Sequence, residues 1–479
     1  MKKIRPLWPG PAASILVAAL LSACATLPER SAAATAVTPV SLGATQSLSA
    51  DAASAWPQDQ WWRGYNDAQL DALIEEALAH SPSLAQAQAR LRAANAVAAG
   101  ARGDALPSIT ANARVNETEQ SQSVGFPADF IPSGYVDTGR ATLDFSYELD
   151  FWGRNRAAIA AASSNARAAQ AEAAEARLTL STSIAAAYAD LARFYAERQI
   201  AQRALDVRTQ TAQLVAQRVA SGLDNTGAQR QAEAGPPNAR ADIAALDEAI
   251  AQTRNRLAAL VGAGPDRGLS INPPQIANLR PFGLPPNLAS DLIGRRPDLV
   301  AARWRAEAAQ SRTREAQAQF YPSVNLVAFI GAESLGLESF TDSASRIGSF
   351  GPALSLPIFE GGSLRANLRR ADAERDAAIA DYNATLIEAL HQVADAATSE
   401  RALATRLTET RAALDANEDA YRIARQRYEG GLSTFQDVLI AEDAVLTQRR
   451  IVADLESRAF VLDVALVRAL GGGFTEIQG

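Results

Sequence analysis

The sequence predicts a mixed α and β membrane protein made of two pseudo-repeats, with four transmembrane strands and long periplasmic helices in each chain. Three observations support this fold class: recurring motifs, segments of alternating polarity, and two long segments without proline. Leu106-Pro107-Ser108-Ile109 recurs as Tyr321-Pro322-Ser323-Val324, and Ser221-Gly222-Leu223 recurs as Gly430-Gly431-Leu432, at offsets of 215 and 209 residues. Two copies of this length do not form an array of short solenoid repeats. They predict a pseudo-symmetric wall in which each copy supplies an equivalent sector.

The N-terminal residues predict export and a lipid anchor. Lys2, Lys3 and Arg5 precede an apolar run at 14–21, which is too short to span a membrane and is typical of a secretory signal. Leu21-Ser22-Ala23-Cys24 resembles a bacterial lipobox, so we expect cleavage before Cys24 and lipid on its thiol. Ala25 after this cysteine resembles the residue in lipoproteins that are sorted to the outer membrane.

The composition argues against several classes of function. The net charge of the whole chain is −7, and removal of residues 1–23 takes away three basic residues and leaves −10. Such a chain has no basic surface for nucleic acid. With two histidines, one cysteine and one methionine, it has few groups for metal ligation or thiol chemistry. We therefore expect no metal, no cofactor and no catalytic residue.

The motifs divide the chain into six segments. The predicted segments are a signal peptide (1–23), a lipidated N-terminal tether (24–66), repeat 1 (67–270), an inter-repeat linker (271–286), repeat 2 (287–473) and a C-terminal tail (474–479). Residues 25–55 are rich in Ala, Ser, Thr and Pro and predict a flexible tether. The aromatic residues that follow, Trp56, Trp61, Trp62 and Tyr65, are interpreted as packing anchors. Asp67 is a predicted N-cap of a helix that continues to about Arg102.

Four segments have the period of two that is typical of strands. Apolar residues alternate with polar ones at 109–115 and 141–151, and more weakly at 324–330 and 350–358. Runs of about ten residues with this pattern are typical of transmembrane β-strands, although a half-buried strand of a soluble sheet alternates in the same way. The segments 117–138 and 331–349 are predicted to be exposed hairpin loops.

Each Phe-x-Gly motif is followed by a long proline-free segment, from Gly153 to Ala220 and from Gly362 to Glu429. As helices these segments are each about 100 Å long. A glycine turn ends each one, and a second helix is predicted to return over 230–260 and 434–470, with Pro236 and Pro237 disturbing the first. Four strands cannot enclose a lumen and unpaired edges cannot face lipid, so several chains must join, and a trimer would supply twelve strands.

Several motifs resemble the TolC-like outer-membrane factors, in particular the NodT-like lipoprotein branch that serves resistance–nodulation–division efflux pumps. The motifs that carry this resemblance are Arg295-Arg296-Pro297-Asp298-Leu299, Phe320-Tyr321-Pro322-Ser323, the segment 351–362, Arg427-Tyr428-Glu429-Gly430-Gly431-Leu432 and Ala469-Leu470-Gly471-Gly472-Gly473. The resemblance implies a homotrimer with a 12-stranded β-barrel continued by a 12-helix α-barrel, held in outer-membrane lipid. It also implies a periplasmic adaptor protein and an inner-membrane pump as partners.

The resemblance further implies roles for residues near the second glycine turn. Gly222, Leu223, Gly431 and Leu432 would form helix-turn tips that contact the adaptor. Asp437 matches the first of two aspartates that ring the periplasmic aperture in the family, and Ile440 replaces the second. Glu442 and Asp443 lie within one further turn, and either could replace the missing acid, although the family pattern does not include them. Asp443 is the additional aperture residue that we predict. A solvated helix residue is the alternative interpretation of Asp437.

The expected function is that of a passive exit duct for drugs or other small molecules in a tripartite efflux pump. Two alternatives remain open at this point: a duct for type I protein secretion, and a structural periplasmic coiled-coil lipoprotein. His80 is replaced by Arg295 in the second copy, so a capping or surface role is expected for it, and His391 lies within a predicted helix without a nearby Ser or Cys nucleophile. Gly262-Ala263-Gly264-Pro265 lacks the Lys-Ser/Thr of a phosphate loop. An enzyme is therefore not expected.

Overall fold

The computed structural model describes residues 34–43, 48, 55–119, 121, 134–275, 285 and 288–476. Cys24 and the predicted signal peptide lie outside these residues, as does most of the loop predicted at 117–138. The described residues fall into two compact units. The first holds 92–168 and 303–381, and the second holds 36–91, 169–302 and 382–476, so each unit contains segments of both repeats.

Apart from α5, which has no counterpart among the described residues of the second repeat, the helices and strands follow the same order in the two repeats. The helices are α1 (Ala68–His80), α2 (Pro82–Asp104), α3 (Arg154–Ala220), α4 (Thr226–Leu260), α5 (Asp266–Leu269), α6 (Leu288–Arg295), α7 (Pro297–Ala318), α8 (Ser363–Glu429) and α9 (Phe435–Ala469). The strands are β1 (Ser108–Glu119), β2 (Tyr135–Leu149), β3 (Ser323–Leu335) and β4 (Arg346–Ser355). Among the described helices, none is long and apolar enough to cross a membrane.

The four strands form one antiparallel sheet in the order β1-β2-β3-β4 within the first unit. The register pairs Ile109 with Phe145, Phe145 with Ala328, and Ala328 with Phe350, which places these four side chains on one face. Each strand contributes apolar residues to that face, namely Ile109, Ala111, Ala113, Val115, Ala141, Leu143, Phe145, Tyr147, Val324, Leu326, Ala328, Ile330, Phe350 and Leu354. Polar residues join the same face only toward one end of the sheet, at Glu117, Glu119, Asp137, Ser334 and Arg346.

The predicted strands are confirmed, but the fourth is shifted and the second loop is shorter than predicted. β4 begins at Arg346 and ends at Ser355, so Leu356 to Ile358 lie beyond it. Pro357 cannot donate to a ladder, which explains why pairing ends before it. β3 extends to Leu335, which leaves 336–345 as the connection, with two short 3-10 turns. Polar and apolar residues alternate only weakly at the end of β3 (331–335) and at the start of β4 (346–349). Pairing between these two strands therefore determines how far each one extends.

The long proline-free segments are helical over their full predicted length. α3 and α8 each contain 67 residues, which corresponds to about 100 Å of helix. The return helices α4 and α9 each contain 35 residues. α4 begins at Thr226, capped by Asn225, and continues through Pro236 and Pro237 as one element.

The prediction of a single helix from Asp67 to Arg102 is wrong, because the chain forms two helices there. Asp67 is the N-cap as predicted, and its Oδ1 accepts hydrogen bonds from the backbone N–H groups of Gln69 and Leu70. Ser81 is extended, with φ −64° and ψ 125°. The proline that follows Ser81 disfavours a helical conformation there, so α1 ends and α2 starts anew. The second repeat has the same interruption between α6 and α7, before Pro297.

Each return helix ends against the interruption between the two short helices of its own repeat. Gly262 follows α4 with φ +80°, and a Cβ added there would lie 2.7 Å from the carbonyl oxygen of His80. Gly471 follows α9 with φ +88°, and its added Cβ would lie 2.0 Å from the carbonyl oxygen of Arg295. Positive φ and the close backbone approach both require glycine. The two repeats therefore share this packing contact as well as the sequence motif.

The second repeat adds an arginine to this contact. Arg296 is buried and its guanidinium donates to the carbonyl oxygen of Ala469, the Oε1 of Gln392 and the carboxylate of Asp298. The Arg-Arg-Pro-Asp motif thus joins α7, α8 and the end of α9 within the second unit. A charged group this deeply buried is stabilised only because each of these acceptors faces it.

The described part of the predicted tether is packed and not free: Ala34 and Thr35 belong to the first unit, and the residues from Ala36 onward belong to the second. Val37 donates its backbone N–H to the Oδ1 of Asn383 at 2.9 Å, and Leu48 is buried in a cluster with Leu292 and Leu386. The interpretation of the aromatic residues as packing anchors is confirmed. Trp61, Trp62 and Tyr65 lie in the main hydrophobic core, and the Arg295 guanidinium lies 4.7 Å from the Trp56 ring centroid.

We predict that Gly471→Ala destabilises the second unit strongly, by more than about 2 kcal/mol, because it adds a left-handed alanine and a backbone clash. Gly264→Ala is the matched control, since a Cβ at Gly264 has no neighbouring atom within 4 Å. The midpoint of thermal unfolding of the detergent-solubilised protein should fall for Gly471→Ala alone. Equal midpoints for the two variants would show that the end of α9 does not depend on this contact.

Candidate functional site

The candidate site lies at the two turns that join α3 to α4 and α8 to α9. Both turns have the same backbone. The N–H of Leu223 donates to the carbonyl of Arg218 at 2.8 Å, and the N–H of Leu432 donates to the carbonyl of Arg427 at 2.7 Å. Gly222 and Gly431 both have φ +72°. These are the hydrogen bonds and the left-handed glycine of a helix C-terminal motif, so the glycine turns predicted from the sequence are confirmed.

Each turn presents an exposed leucine at its end. Leu223 is 66% exposed and Leu432 is 73% exposed. Most of each leucine side chain is therefore left uncovered by the described residues of its own chain. The two leucines therefore form equivalent apolar points on the two turns.

A hydrogen bond between side chains joins the two turns. The hydroxyl group of Tyr428, from α8, donates to the Oδ2 of Asp224 at 2.7 Å. Burial and this hydrogen bond raise the pKa of Tyr428 to about 12, so the hydroxyl stays protonated and remains a donor at neutral pH. The Arg218 guanidinium lies 4.6 Å from the Tyr428 ring centroid and also donates to the carbonyl of Glu429. The turns are thus held as a pair.

Sequence reasoning missed this link, although a comparison of the repeats contains the signal. At the offset of 209 residues, Tyr428 corresponds to Val219 and Asp224 corresponds to Ser433. The turns share their backbone but differ in the two residues that join them. Positions at which a pseudo-repeat is asymmetric are therefore the positions to inspect for contacts between its copies.

Asp437 caps the start of α9. Its Oδ2 accepts a hydrogen bond from the backbone N–H of Thr434 at 2.9 Å and lies 2.8 Å from the Thr434 hydroxyl oxygen. These hydrogen bonds lower the pKa of Asp437, so its exposed carboxylate is charged at neutral pH. Asp437 thus has a local role as a helix cap in addition to any role that its charge has outside the chain.

The residues after Asp437 divide between an exposed and a buried face of α9. Ile440 is 64% exposed and Asp443 is exposed, and residues three apart lie side by side on a helix. Glu442 points the other way. It is buried, and its Oε1 accepts a hydrogen bond from the Nε of Arg208 at 2.8 Å. Of the two acids that follow Ile440, only Asp443 adds charge to the face that carries Asp437.

The polar face of the sheet, in the first unit, is a separate candidate site. It carries a hydrogen-bond network in which Asn112 and Thr142 both donate to the Oδ2 of Asp144, at 2.8 Å each. Arg140 forms an ion pair with Glu333 at 3.0 Å on the same face. On β1 and β2 this side of the sheet is mostly polar and hydrogen-bonded, while β3 adds Val327 and Phe329 to it. The other side is the apolar face described above.

The comparisons with known proteins agree with this architecture. The family model described as "Outer membrane efflux protein" matches residues 73–263 and 288–472. The chain belongs to the outer membrane efflux protein family. These two matched ranges cover most of the chain and include both glycine turns, α9 and the whole sheet. The protein is a channel of the outer membrane, with the mixed α and β fold of TolC-like channels.

Individual relatives cover nearly the same length. The chain is 32% identical over 438 residues to "Multidrug resistance outer membrane protein MdtP" of Shigella flexneri, with 88% of each chain covered. It is 28% identical to "Probable outer membrane lipoprotein SilC" of Salmonella typhimurium, covering 88% of this chain and 89% of SilC. The crystal structure of the outer membrane protein VceC of Vibrio cholerae has a TM-score of 0.84 and 46% identity, covering 88% of this chain and 100% of VceC.

Proposed function

We propose that the chain is one of three identical subunits of a passive outer-membrane duct, through which a tripartite efflux pump releases drugs or other small molecules. The observation that carries this proposal is the sheet with one apolar face and two open edges. Ile109, Phe350 and Leu354 on the apolar face are 71%, 90% and 67% exposed. Burying such a face in lipid is strongly favourable, whereas leaving it in water is not.

The open edges support a trimer. β1 pairs with β2 alone and β4 pairs with β3 alone among the described strands, so the outer backbone groups of β1 and β4 have no partner strand within the chain. Unpaired backbone groups are costly in a bilayer. The outer backbone N–H and C=O groups of β1 in one copy would pair with those of β4 in the next copy. Three copies would then close a twelve-stranded barrel. The polar face with Asp144 and Arg140 would then line its water-filled interior.

The long helices support a periplasmic duct. Each chain supplies α3, α4, α8 and α9, so three copies would supply twelve long helices. An inner-membrane pump would supply the energy for export. A periplasmic adaptor would bind the helix-turn tips at Gly222, Leu223, Gly431 and Leu432, where two exposed leucines offer apolar contacts. The names of relatives such as MdtP support multidrug export as the substrate class.

Asp437 and Asp443 are proposed to face the trimer axis at the periplasmic aperture. Support comes from the exposure of both carboxylates and of Ile440 between them on one face of α9. Three copies of a carboxylate in a constriction raise the local concentration of cations and disfavour anions. In repeat 1 the positions that correspond to Asp437 and Asp443 are Ala228 and Ala234, so α4 does not repeat this charge.

We predict that the purified protein conducts ions in planar bilayers and that Asp437→Asn lowers its cation selectivity. Asparagine keeps an oxygen that can accept the Thr434 N–H, so the helix cap is preserved while the charge is removed. Asp443→Asn tests the second position, and Asp242→Asn, in the Arg450 ion pair, is the control of equal charge. The reversal potential in a salt gradient gives the selectivity.

If Asp437→Asn has no effect and Asp443→Asn shifts the potential, the aperture is at Asp443. No conduction by a correctly folded wild-type protein would contradict the duct itself.

Cys24 is proposed to carry the lipid anchor. Support comes from the lipobox-like Leu21-Ser22-Ala23-Cys24 and from the lipoprotein relative SilC. We predict an acylated N-terminal peptide that begins at Cys24, detected by mass spectrometry of protein isolated from membranes. Because the proposed barrel would hold the protein in the membrane without the lipid, Cys24→Ser should remain in the outer membrane. A mature chain that begins at another residue would disprove the assignment.

A further inference from the structure

Residues of both Phe-x-Gly motifs line one cavity in the first unit, at the end of the sheet that joins the helices. The motif of repeat 1 is Phe151-Trp152-Gly153, and that of repeat 2 is Phe359-Glu360-Gly361. The volume of the cavity is about 510 Å³, which is enough for a small organic molecule. Because the motifs differ at their middle residue, one repeat supplies an indole ring to the wall and the other supplies a carboxylate.

The wall of the cavity is rich in aromatic side chains, namely Phe151, Trp152, Tyr321 and Phe359. The rings of Trp152 and Tyr321 are stacked, with their centroids 4.7 Å apart and an interplanar angle of 15°. The indole Nε1–H donates to the carbonyl oxygen of Pro322 at 2.8 Å, which holds the ring in place. Trp152 is still 48% exposed and Phe359 is 89% exposed, so a ligand in the cavity can reach both rings.

The charged groups around the cavity leave one carboxylate without a counter-ion. Glu148 forms an ion pair with Arg154, and Asp150 forms one with Arg156. Glu360 also lines the cavity, and it is exposed and has no ion pair with any of the residues that the structure describes. The charges of these five side chains sum to a net negative charge, which attracts a cation and disfavours an anion.

The aromatic wall restricts the kind of cation. A metal ion needs several oxygen ligands, and the described residues contain no group of three or more His, Cys, Asp or Glu side chains that would hold one. An organic cation needs no such ligands, because the face of an aromatic ring attracts it directly. A flat aromatic cation can also stack on the exposed rings while its charge stays within the range of Glu360.

We propose that this cavity binds an aromatic organic cation, whose ring system packs against the exposed aromatic side chains and whose charge is attracted by Glu360. The proposal concerns one unit of a single chain and does not depend on the duct function.

The test uses the full-length protein in a non-ionic detergent and two probes, 1-methylquinolinium and 1-methylnaphthalene. The probes have nearly the same shape, but only 1-methylquinolinium carries a positive charge. Equilibrium dialysis at pH 7 against protein-free micelles corrects for partition into detergent. About 0.1 M salt limits the range of electrostatic attraction to about 10 Å. We expect saturable binding of 1-methylquinolinium at about one molecule per chain.

Two variants with equal changes in charge locate the binding site. Glu360→Gln should lower the affinity for 1-methylquinolinium by about threefold to fivefold, because it removes the attraction of an exposed charge, and should leave 1-methylnaphthalene unchanged. Glu117→Gln is the matched control and should change neither affinity. Glu117 pairs with Asp137 near the opposite end of the sheet, and Asp137 lies roughly 36 Å along β2 from Glu148.

Two further variants test the aromatic wall. Phe359→Leu carries little risk to folding, because this side chain is almost entirely exposed. It keeps an apolar side chain but removes the ring, so the affinity for 1-methylquinolinium should fall. Trp152→Leu should have the same effect, provided that circular dichroism shows the variant to be folded.

Four outcomes would overturn the proposal. The first is the absence of saturable 1-methylquinolinium binding by the wild-type protein, and the second is an unchanged affinity in Glu360→Gln or in Phe359→Leu. The third is an equal loss of affinity in Glu117→Gln, which would show that the cation responds only to the total charge of the protein. The fourth is displacement of the probe by phosphatidylethanolamine added to the micelles, which would assign the cavity to a lipid headgroup.

Discussion

The structure depends on one constraint, which is that the backbone groups at both edges of the sheet need partners. The apolar face favours lipid over water, but β1 and β4 each have an open edge within the chain. In a bilayer those groups cannot be hydrated, so the sheet is stable there only if copies of the chain complete it. This requirement supports the proposed association of several copies, and with it the proposed trimeric channel.

The sequence alone was sufficient for those elements whose pattern is local. Alternation at Ile109 to Val115 predicts β1, the absence of proline from Gly153 to Ala220 predicts α3, and Ser221-Gly222-Leu223 predicts the turn that ends it. Each of these patterns results from backbone geometry or from one face of an element, and a single chain segment contains the whole signal. The duplicated order of the motifs then predicts which elements correspond.

Elements that depend on distant contacts were not predictable in the same way. β4 extends back to Arg346 because β3 pairs with it, and the local alternation there is weak. The link from Tyr428 to Asp224 joins residues 204 positions apart, and no local period marks it. Glu442 and Asp443 are adjacent acids in the sequence, yet the face that each occupies on α9 makes one a buried partner of Arg208 and leaves the other exposed. The glycine contacts at His80 and Arg295 likewise follow from packing within each repeat.

The most direct measurement of the central claim is the mass of the detergent-solubilised particle by native mass spectrometry, combined with circular dichroism of the same sample. The account predicts particles of three chains, and it predicts that strand structure is lost when they dissociate into single chains. A stable single chain that retains its four strands in detergent would contradict the claim that the open edges of β1 and β4 require neighbouring copies.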